Sequence, residues 1–305
     1  MGNALGYLPR CMARLLGGYD IVRSPLGGSD LVLERAYLRL VQYLNAKLTS
    51  ASMRLTRWTG KSRVPIHPKH LIVQDAHHRW YLDRIQEGMQ VLDVGCGNGV
   101  HSISVASQDA LVIGVDHDLP SLRSGRILAA EHHANGLAFV QASAEETLPF
   151  LDGHFDLVLL LDVLEHVHRR VELLREIRRA LRPGGVLMLS APNRDTTWKR
   201  RLRGAGLFCY ADRDHKVEYS RPELLAELQE GGFRVEGELM PVVYDTAWAG
   251  LIDLVGGLSL WAYRRLSRLK RQAAHRHPQE TTGWRVICKR VDRLPTGATD
   301  EHRPH

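Results

Sequence analysis

The feature that most constrains the fold is the stretch QVLDVGCGNG at residues 90–99, in which an apolar run is followed by alternate glycines. Gly95, Gly97 and Gly99 give the spacing G-x-G-x-G directly after a run typical of a buried strand. Glycines at such a place allow a ligand to approach the backbone closely. The dinucleotide fingerprint is G-x-G-x-x-G, and a phosphate-binding loop needs a lysine followed by serine or threonine. Neither pattern is present, which disfavours a nicotinamide oxidoreductase and a nucleotide phosphate site.

The segments after this stretch alternate between strand-like and helix-like patterns. Seven β-rich runs are recognisable: QVLDVG, LVIGVD, LAFVQAS, FDLVLLLD, GVLMLSAP, FRVEGELM and WRVICKRV. The helical stretch VHRRVELLREIRRALRPGG separates the fourth run from the fifth and ends in proline and glycine, as many helices do. Near-continuous apolar strands that alternate with helices indicate a sheet covered on both faces. We therefore predict an α/β fold with a Rossmann-like, mostly parallel, seven-stranded sheet.

Two segments lie outside this pattern. Residues 1–80 contain the amphipathic stretch LVLERAYLRLVQYLNAKL and then the basic stretch MRLTRWTGKSR. Residues 246–275 separate the last two strand candidates with an apolar run that continues into basic residues. We expect an N-terminal helical and basic extension at 1–80 and a main domain at 81–293 with a helical insertion at 246–275. The polar residues 294–305 are expected to be a disordered tail.

Composition limits the cellular compartment. Lys and Arg outnumber Asp and Glu by 41 to 34, which gives a net charge of +7 with histidine neutral. The cysteines are widely spaced and form no C-x-x-C pair, so neither a disulfide framework nor a zinc site is expected; they are Cys11, Cys96, Cys209 and Cys288. No apolar run reaches the roughly 20 residues that span a bilayer. We expect a cytoplasmic protein, with association to a membrane surface as an open alternative.

An acid closes the second predicted strand. LVIGVD places Asp116 at the carboxyl end of that strand, where a carboxylate commonly binds ribose hydroxyls. Asp118 is available as the N-cap of the following helix, so Asp116 is not needed for that purpose. NAD and S-adenosylmethionine both contain a ribose. Asp116 therefore predicts a nucleoside ligand without choosing between them.

Three later motifs choose between these ligands. ASAEETLPF follows the third strand, FDLVLLLDVLEHV contains the fourth, and LRPGGVLMLSAPN contains the fifth. Together with the glycine loop they resemble the class I S-adenosylmethionine-dependent methyltransferases, particularly the small-molecule branch that includes the ubiquinone-biosynthesis enzymes. The resemblance extends from about Val91 to Glu238, roughly half of the chain.

The resemblance implies a cofactor site for S-adenosylmethionine at the carboxyl ends of the strands. Asp93 and the loop Gly95–Gly99 would lie under the methionine part, and Asp116 would hold the ribose hydroxyls. The residues implied to contact the cofactor are Asp93, Gly95, Cys96, Gly97, Gly99, Asp116, His117, Ala144, Glu145, Asp162 and Val163.

The same resemblance implies roles for the later residues of this set. His117 would flank the adenine ring. Glu145 would accept a hydrogen bond from the adenine amino group, beside the backbone of Ala144. Asp162 and Val163, at the end of the fourth strand, would border the site of methyl transfer.

Methyl transfer requires alignment of the acceptor, and it requires a base when the acceptor is a protonated hydroxyl. The catalytic candidates are His166, in the order D-x-x-E-H, and His215, in DRDHKVEYSRPEL. The sequence is equally compatible with His215 in the acceptor pocket and with His215 on the surface.

The D-x-x-E-H order also raises the question of a metal. Asp162, Glu165 and His166 could bind Mg²⁺, which would lower the pKa of a bound hydroxyl. The ubiquinone O-methyltransferases look similar at this point, and some are thought to use a metal. Alternatively, Glu165 and His166 pack against or cap the next helix. We favour His166 as a base without a metal.

These motifs lead us to expect O-methylation of a small or lipid-linked acceptor. The apolar stretch within 247–270 suits a helix in a membrane interface, and a lid over the acceptor pocket or a dimer contact is the alternative. An RNA methyltransferase is disfavoured, because LDVLEH stands where base-methylating enzymes commonly carry Asn- or Asp-Pro-Pro-aromatic. A non-catalytic scaffold that binds S-adenosylmethionine is a further alternative. The sequence predicts neither the acceptor's identity nor the oligomeric state.

Overall fold

The computed structural model describes residues 28–72 and 78–292, which fall into two compact units. One unit contains the described residues up to 78, with 194–211 and 241–282. The other contains residues 79–193, 212–240 and 283–292. The boundaries predicted at 80, 246–275 and 293 stay predictions, and the predicted tail 294–305 lies outside the described residues.

The second unit is built on a sheet whose strands are β1 Gln90–Val94, β2 Leu111–Asp116, β3 Leu137–Gln141, β4 Phe155–Leu161, β5 Leu181–Pro192, β6 Phe233–Val235, β7 Met240–Pro241 and β8 Gly283–Arg290. Its order is β3-β2-β1-β4-β5-β8-β6, and the two-residue β7 lies off this path. Strands β1 to β5 pair in parallel, whereas β8 runs antiparallel to β5 and β6. The predicted mostly parallel α/β sheet is confirmed, and the seven predicted runs form its main path.

The helices of the described residues are α1 Gly28–Trp58, α2 Val100–Ala106, α3 Leu119–Glu131, α4 Arg170–Ala180, α5 Thr197–Gly204, α6 Arg221–Glu230, α7 Ala249–Leu258 and α8 Leu260–Arg276. Helices α2, α3, α4 and α6 belong to the unit with the sheet, and the others belong to the first unit. Of these helices, none offers a stretch that is long and apolar enough to cross a lipid bilayer.

Alternation along the central strands creates two hydrophobic cores, one on each face of the sheet. Leu157 and Leu159 of β4 pack in one core with residues of α2. Val158 and Leu160 pack in the other core with residues of α4 and α6. All four side chains are at most 1% exposed, which is why β4 reads as a continuous apolar run.

Side-chain caps fix where the helices around the sheet begin. The Asp118 carboxylate accepts a hydrogen bond from the Ser121 N–H and starts α3, as predicted. Ser220 and Glu223 form a reciprocal capping box at α6, with Pro222 in its first turn. These caps set the helix starts beside the sheet and leave Asp116 to a different role.

In the first unit, α1 packs closely against α7. A Cβ added to Gly250 would lie 2.6 Å from the Asn45 carbonyl oxygen, so only glycine permits this approach. Asn45 stabilises the contact with two hydrogen bonds: its side-chain amide donates to Ala247 O, and its Oδ1 accepts from Gly250 N. The predicted insertion consists of two helices, because Ser259 has extended backbone, ends α7 and caps α8.

Candidate functional site

The glycine loop follows β1 in a conformation that disfavours other residues. Gly95, Gly97 and Gly99 have φ of +71°, +55° and +73°. A Cβ on Gly95 would lie 2.4 Å from Cγ2 of Val163, and one on Gly99 would lie 2.5 Å from the Phe139 ring. The sequence predicts that other atoms approach this loop closely. Side chains of the protein itself, Val163 and Phe139, provide part of that approach.

Asp93 supports this loop from inside the unit. Its side chain is 2% exposed, and its carboxylate accepts a 2.6 Å hydrogen bond from the Ser102 hydroxyl. Desolvation raises the pKa of Asp93, although His101 and the Ser102 bond oppose that effect. The predicted place of Asp93 under the methionine part of a cofactor stays a prediction.

Cys96 contributes to the loop through its backbone. Its N–H donates to Val115 O at 2.9 Å, and its thiol is buried close to Gly114. Burial raises the pKa of the Cys96 thiol far above its usual range. The side chain is therefore an inert packing group.

A cavity of about 390 Å³ opens at the carboxyl ends of β1, β2 and β4. Eight residues predicted for the site line it: Gly95, Asp116, His117, Ala144, Glu145, Asp162, Val163 and His166. The remaining lining residues are Val94, Val115, Ala142, Ser143 and Val167. A cavity at this edge of a parallel sheet is the usual place for a ligand in α/β folds.

Asp116 is held in a fixed orientation at the cavity wall. Its Oδ2 accepts from Gly97 N and its Oδ1 from Asp118 N, both at 2.8 Å. His117 is 83% exposed in its side chain, with Nδ1 3.3 Å from Asp116 Oδ1. The carboxylate thus connects the glycine loop to the start of α3. Ribose binding by Asp116 and adenine contact by His117 stay predictions.

Glu145 has a structural role that the sequence did not reveal. Its two carboxylate oxygens accept from the backbone N–H groups of His168 and Arg169, at 2.7 and 3.2 Å, just before α4. Desolvation alone would raise the pKa of Glu145, but these hydrogen bonds and the charges of His168 and Arg169 together lower the pKa. The predicted bond to adenine therefore competes with capping.

Ser143, whose hydroxyl accepts from Glu145 N, is a further lining group that the sequence analysis missed.

Asp162 turns the chain at the end of β4. It has φ of +55°, which is unusual for a residue other than glycine. The Ser190 hydroxyl accepts from Asp162 N and donates to Asp162 Oδ1 at 2.6 Å. This reciprocal pair fixes the turn and places Val163 against Gly95.

Two histidines and two buried glutamates form a compact cluster beside the cavity. The rings of His166 and His215 meet edge to face with centroids 4.8 Å apart. His215 Nδ1 lies 3.0 Å from Glu218 Oε1, and its Nε2 lies 3.9 Å from Glu165 Oε1. Glu165 is 2% exposed and Glu218 is fully buried, whereas His166 is exposed at the cavity.

Both predicted catalytic histidines therefore belong to one cluster. Glu218 was missed by the sequence analysis, although it stands three residues after His215 in HKVEYS. Its burial and its bond to His215 become evident only in the fold.

The same cluster bears on the question of a metal. The side-chain ligand atoms of Glu165, His166 and His215 lie within 4.8 Å of one another. Asp162 is not part of this group. The predicted candidates and the observed cluster therefore share only Glu165 and His166. Mg²⁺ prefers oxygen ligands, whereas two imidazoles and one carboxylate suit a transition metal better. The donor set therefore does not fit Mg²⁺.

Comparison with known sequences adds an independent observation. A family model described as a methyltransferase domain matches residues 85–230. A ubiquinone biosynthesis O-methyltransferase of Erwinia tasmaniensis is 34% identical over 119 residues, which cover 39% of this chain and 49% of the relative. One from Pseudomonas aeruginosa is 36% identical over 110 residues, covering 35% and 46%. The chain thus spans about half the length of these curated relatives.

Solved structures agree on the fold. The cyclase SpnF aligns with a TM-score of 0.53 at 18% identity, covering 72% of this chain and 82% of that one. An S-adenosylmethionine-dependent methyltransferase from Mesorhizobium loti aligns with a TM-score of 0.50 at 17% identity, covering 72% and 100%. At these identities the likeness concerns architecture alone.

Proposed function

We propose that the protein is an S-adenosylmethionine-dependent methyltransferase that methylates a hydroxyl oxygen of a small or lipid-linked acceptor, because a family model described as a methyltransferase domain matches residues 85–230 and curated relatives are named O-methyltransferases. We choose oxygen as the methylated atom because of the His166–His215 pair beside the cavity, next to which two carboxylates are buried. A hydroxyl acceptor must lose a proton, and this pair offers a base where the proton is released.

The cavity suits the cofactor. S-adenosylmethionine supplies a methyl group on a positively charged sulfonium, which is already a good electrophile. The cavity of about 390 Å³, which Gly95 lines, leaves room for a ligand along the loop. Asp116 would hold the ribose, because its carboxylate is fixed at the wall with lone pairs to spare.

The chain's own groups would then position the acceptor and take its proton. His166, exposed at the cavity, would accept the proton that an acceptor hydroxyl releases there. Glu218 fixes the orientation of His215, whose ring supports His166 from behind. Glu165 and Glu218 stabilise positive charge on this pair, since both carboxylates are buried next to it.

The relatives support an oxygen acceptor. Both curated relatives named above are O-methyltransferases of ubiquinone biosynthesis, and the methyltransferase-domain match at residues 85–230 includes the cavity lining. Because this chain spans only about half of their length, the acceptor is proposed by chemical class.

Transfer of label from methyl-labelled S-adenosylmethionine tests this proposal. We expect catechols, with and without a prenyl tail, to gain the mass of one CH₂ group, and matched anilines to gain none. His166→Gln should lower kcat by about 10²-fold or more with little change in cofactor affinity. The matched control is His132→Gln, at an exposed position of the same unit.

Three outcomes would contradict the proposal: labelling of anilines alone, labelling of RNA alone, or full activity of His166→Gln. Activity that survives prolonged treatment with a chelator would support a base without a metal. Activity that is lost and then restored by a transition metal would move the cluster's role from base to metal ligand.

A further inference from the structure

The chain's positive charge is concentrated in two segments. Residues 50–72 and 254–276 together contain eleven Lys and Arg residues and no Asp or Glu. The rest of the chain has 30 Lys and Arg against 34 Asp and Glu, so it is net negative. The whole excess of +7 therefore arises from about 46 residues, all of them in the first unit.

The fold joins these two segments at one end of the α1–α7 pair. The Thr59 hydroxyl donates to the Gly257 carbonyl at 3.2 Å. The Lys61 ammonium donates to the carbonyls of Gly257 and Leu258, at 3.1 and 2.9 Å. A Cβ on Gly257 would lie 2.7 Å from Ser52 O, so the two backbones are in close contact. The end of α1 and the junction of α7 with α8 are thus neighbours.

Large apolar side chains are exposed at this junction. Trp58 is 81% exposed, Leu258 56% and Trp261 68%, and we call these three residues the tryptophan corner. The guanidinium of Arg265 lies 5.7 Å from the centre of the Trp261 ring. Exposed tryptophans beside arginines are typical of the boundary between lipid headgroups and acyl chains, where both the ring and the cation are stabilised.

Helix α1 continues this apolar surface. Leu33, Leu40, Leu44 and Trp58 are exposed and follow one another at intervals of 7, 4 and 14 residues. Those intervals place them on one helical face, which we call the α1 stripe, while Leu38 is buried on another face. The stripe is roughly 37 Å long at the rise of an α-helix. Between 31 and 58 the single acid is Glu34, which pairs with Arg201.

We propose that the tryptophan corner and the α1 stripe dock the protein on a lipid bilayer with anionic headgroups. The aromatic and leucine side chains enter the interface, and the surrounding cations lie at the phosphates. Charge favours this occupant over a second copy, because the same cations would face each other across a two-fold contact. The exposed leucines favour it over nucleic acid, because a phosphate backbone gives them no apolar partner. The proposal is independent of the methylation chemistry.

Sedimentation of the full chain with vesicles tests this docking surface. We expect binding to phosphatidylcholine vesicles that contain about one third phosphatidylglycerol, weakened by salt, and much weaker binding to phosphatidylcholine alone. The double variant Trp58→Ala, Trp261→Ala should bind the anionic vesicles at least about tenfold more weakly. Leu151→Ala is the matched control, because Leu151 is 78% exposed in the other unit.

The double variant is scored only if it binds S-adenosylhomocysteine, or keeps a cooperative thermal transition, as the unmodified chain does. Equal binding of the double variant and the unmodified chain to anionic vesicles would overturn the proposal, and so would equal binding to neutral vesicles. A dimer that forms without vesicles and dissociates in the double variant would assign the surface to a second copy. RNA binding that depends on the two tryptophans, with no vesicle binding, would assign it to nucleic acid.

Discussion

At the scale of a single residue, Gly95 in the proposed cofactor site has no room for one added atom. Its φ of +71° costs other residues about 1–2 kcal/mol, and its Cβ would meet Val163 at 2.4 Å. We predict that Gly95→Ala displaces Val163 into the cavity and weakens S-adenosylhomocysteine binding at least about tenfold, as measured by calorimetry.

Gly88→Ala separates strain from this clash. Gly88 has φ of +75°, but nothing lies within 4 Å of an added Cβ. The control should therefore lose stability to a similar extent and keep its affinity for S-adenosylhomocysteine. Equal affinities for the two variants would show that the contact of Gly95 with Val163 does not shape the binding surface.

Asp93 makes a second prediction at the scale of one residue. Desolvation raises its pKa, so the folded state holds the proton more tightly than the unfolded chain does. This favourable contribution is present at low pH and is lost as pH rises through the raised pKa. Asp93→Asn removes that titration and can still accept from Ser102. We predict that its melting temperature relative to the unmodified chain increases from acid to neutral pH.

Ser102→Ala provides a matched variant for Asp93. Loss of the 2.6 Å hydrogen bond to the carboxylate should raise the pKa of Asp93 further, so that the fall of stability with pH becomes larger and extends to higher pH. If Asp93→Asn is less stable at every pH, by an unchanging amount, then the ionised carboxylate stabilises the folded state and this account of Asp93 is wrong.

At the scale of elements, the start of α4 depends on an acid from a distant loop. Hydrogen bonds from His168 and Arg169 lower the pKa of Glu145 despite desolvation. A lowered pKa contributes stability above the usual carboxyl range, and that stability is lost as pH falls through the lowered pKa. We predict that Glu145→Gln is less stable at neutral pH and that the difference shrinks under acid conditions, as measured by denaturant unfolding.

Glu146→Gln is the neighbouring control, because Glu146 is exposed. The pair of variants also separates the two roles of Glu145. Unchanged affinity of Glu145→Gln for S-adenosylhomocysteine would identify a cap, whereas a large loss would support the predicted bond to adenine. A stability difference that does not vary with pH would contradict the capping argument.

Elements were predictable where local pattern determines them. The central parallel strands carry near-continuous apolar runs, and Asp118 and Ser220 stand directly before the helices that they cap. The partner of Glu145 was not predictable, because its N–H groups lie more than twenty residues along the chain. Likewise, Glu218 is an ordinary acid in sequence, and only the fold buries it beside His215.

At the scale of the whole molecule, the sequence predicted the unit that contains the sheet far better than the other unit. Glycine spacing and strand order constrain a ligand site strongly, since carboxyl ends of parallel strands meet at one edge. No comparable rule relates α1 to the insertion, which is about 200 residues away. Their contact depends on Gly250 and Gly257, whose small size matters only once the two backbones approach. The concentration of positive charge at the tryptophan corner could not be predicted either, because it depends on the same contact between α1 and the insertion.

The central claim is that the cavity at the ends of β1, β2 and β4 binds S-adenosylmethionine through Asp116. The most direct test is calorimetric titration of the purified full chain with S-adenosylhomocysteine, next to Asp116→Ala and a parallel titration with NADH. We predict a Kd of about micromolar order for the unmodified chain, weakened at least about tenfold by the substitution, and no comparable binding of NADH. Tighter binding of NADH, or S-adenosylhomocysteine binding that Asp116→Ala leaves unchanged, would contradict the account.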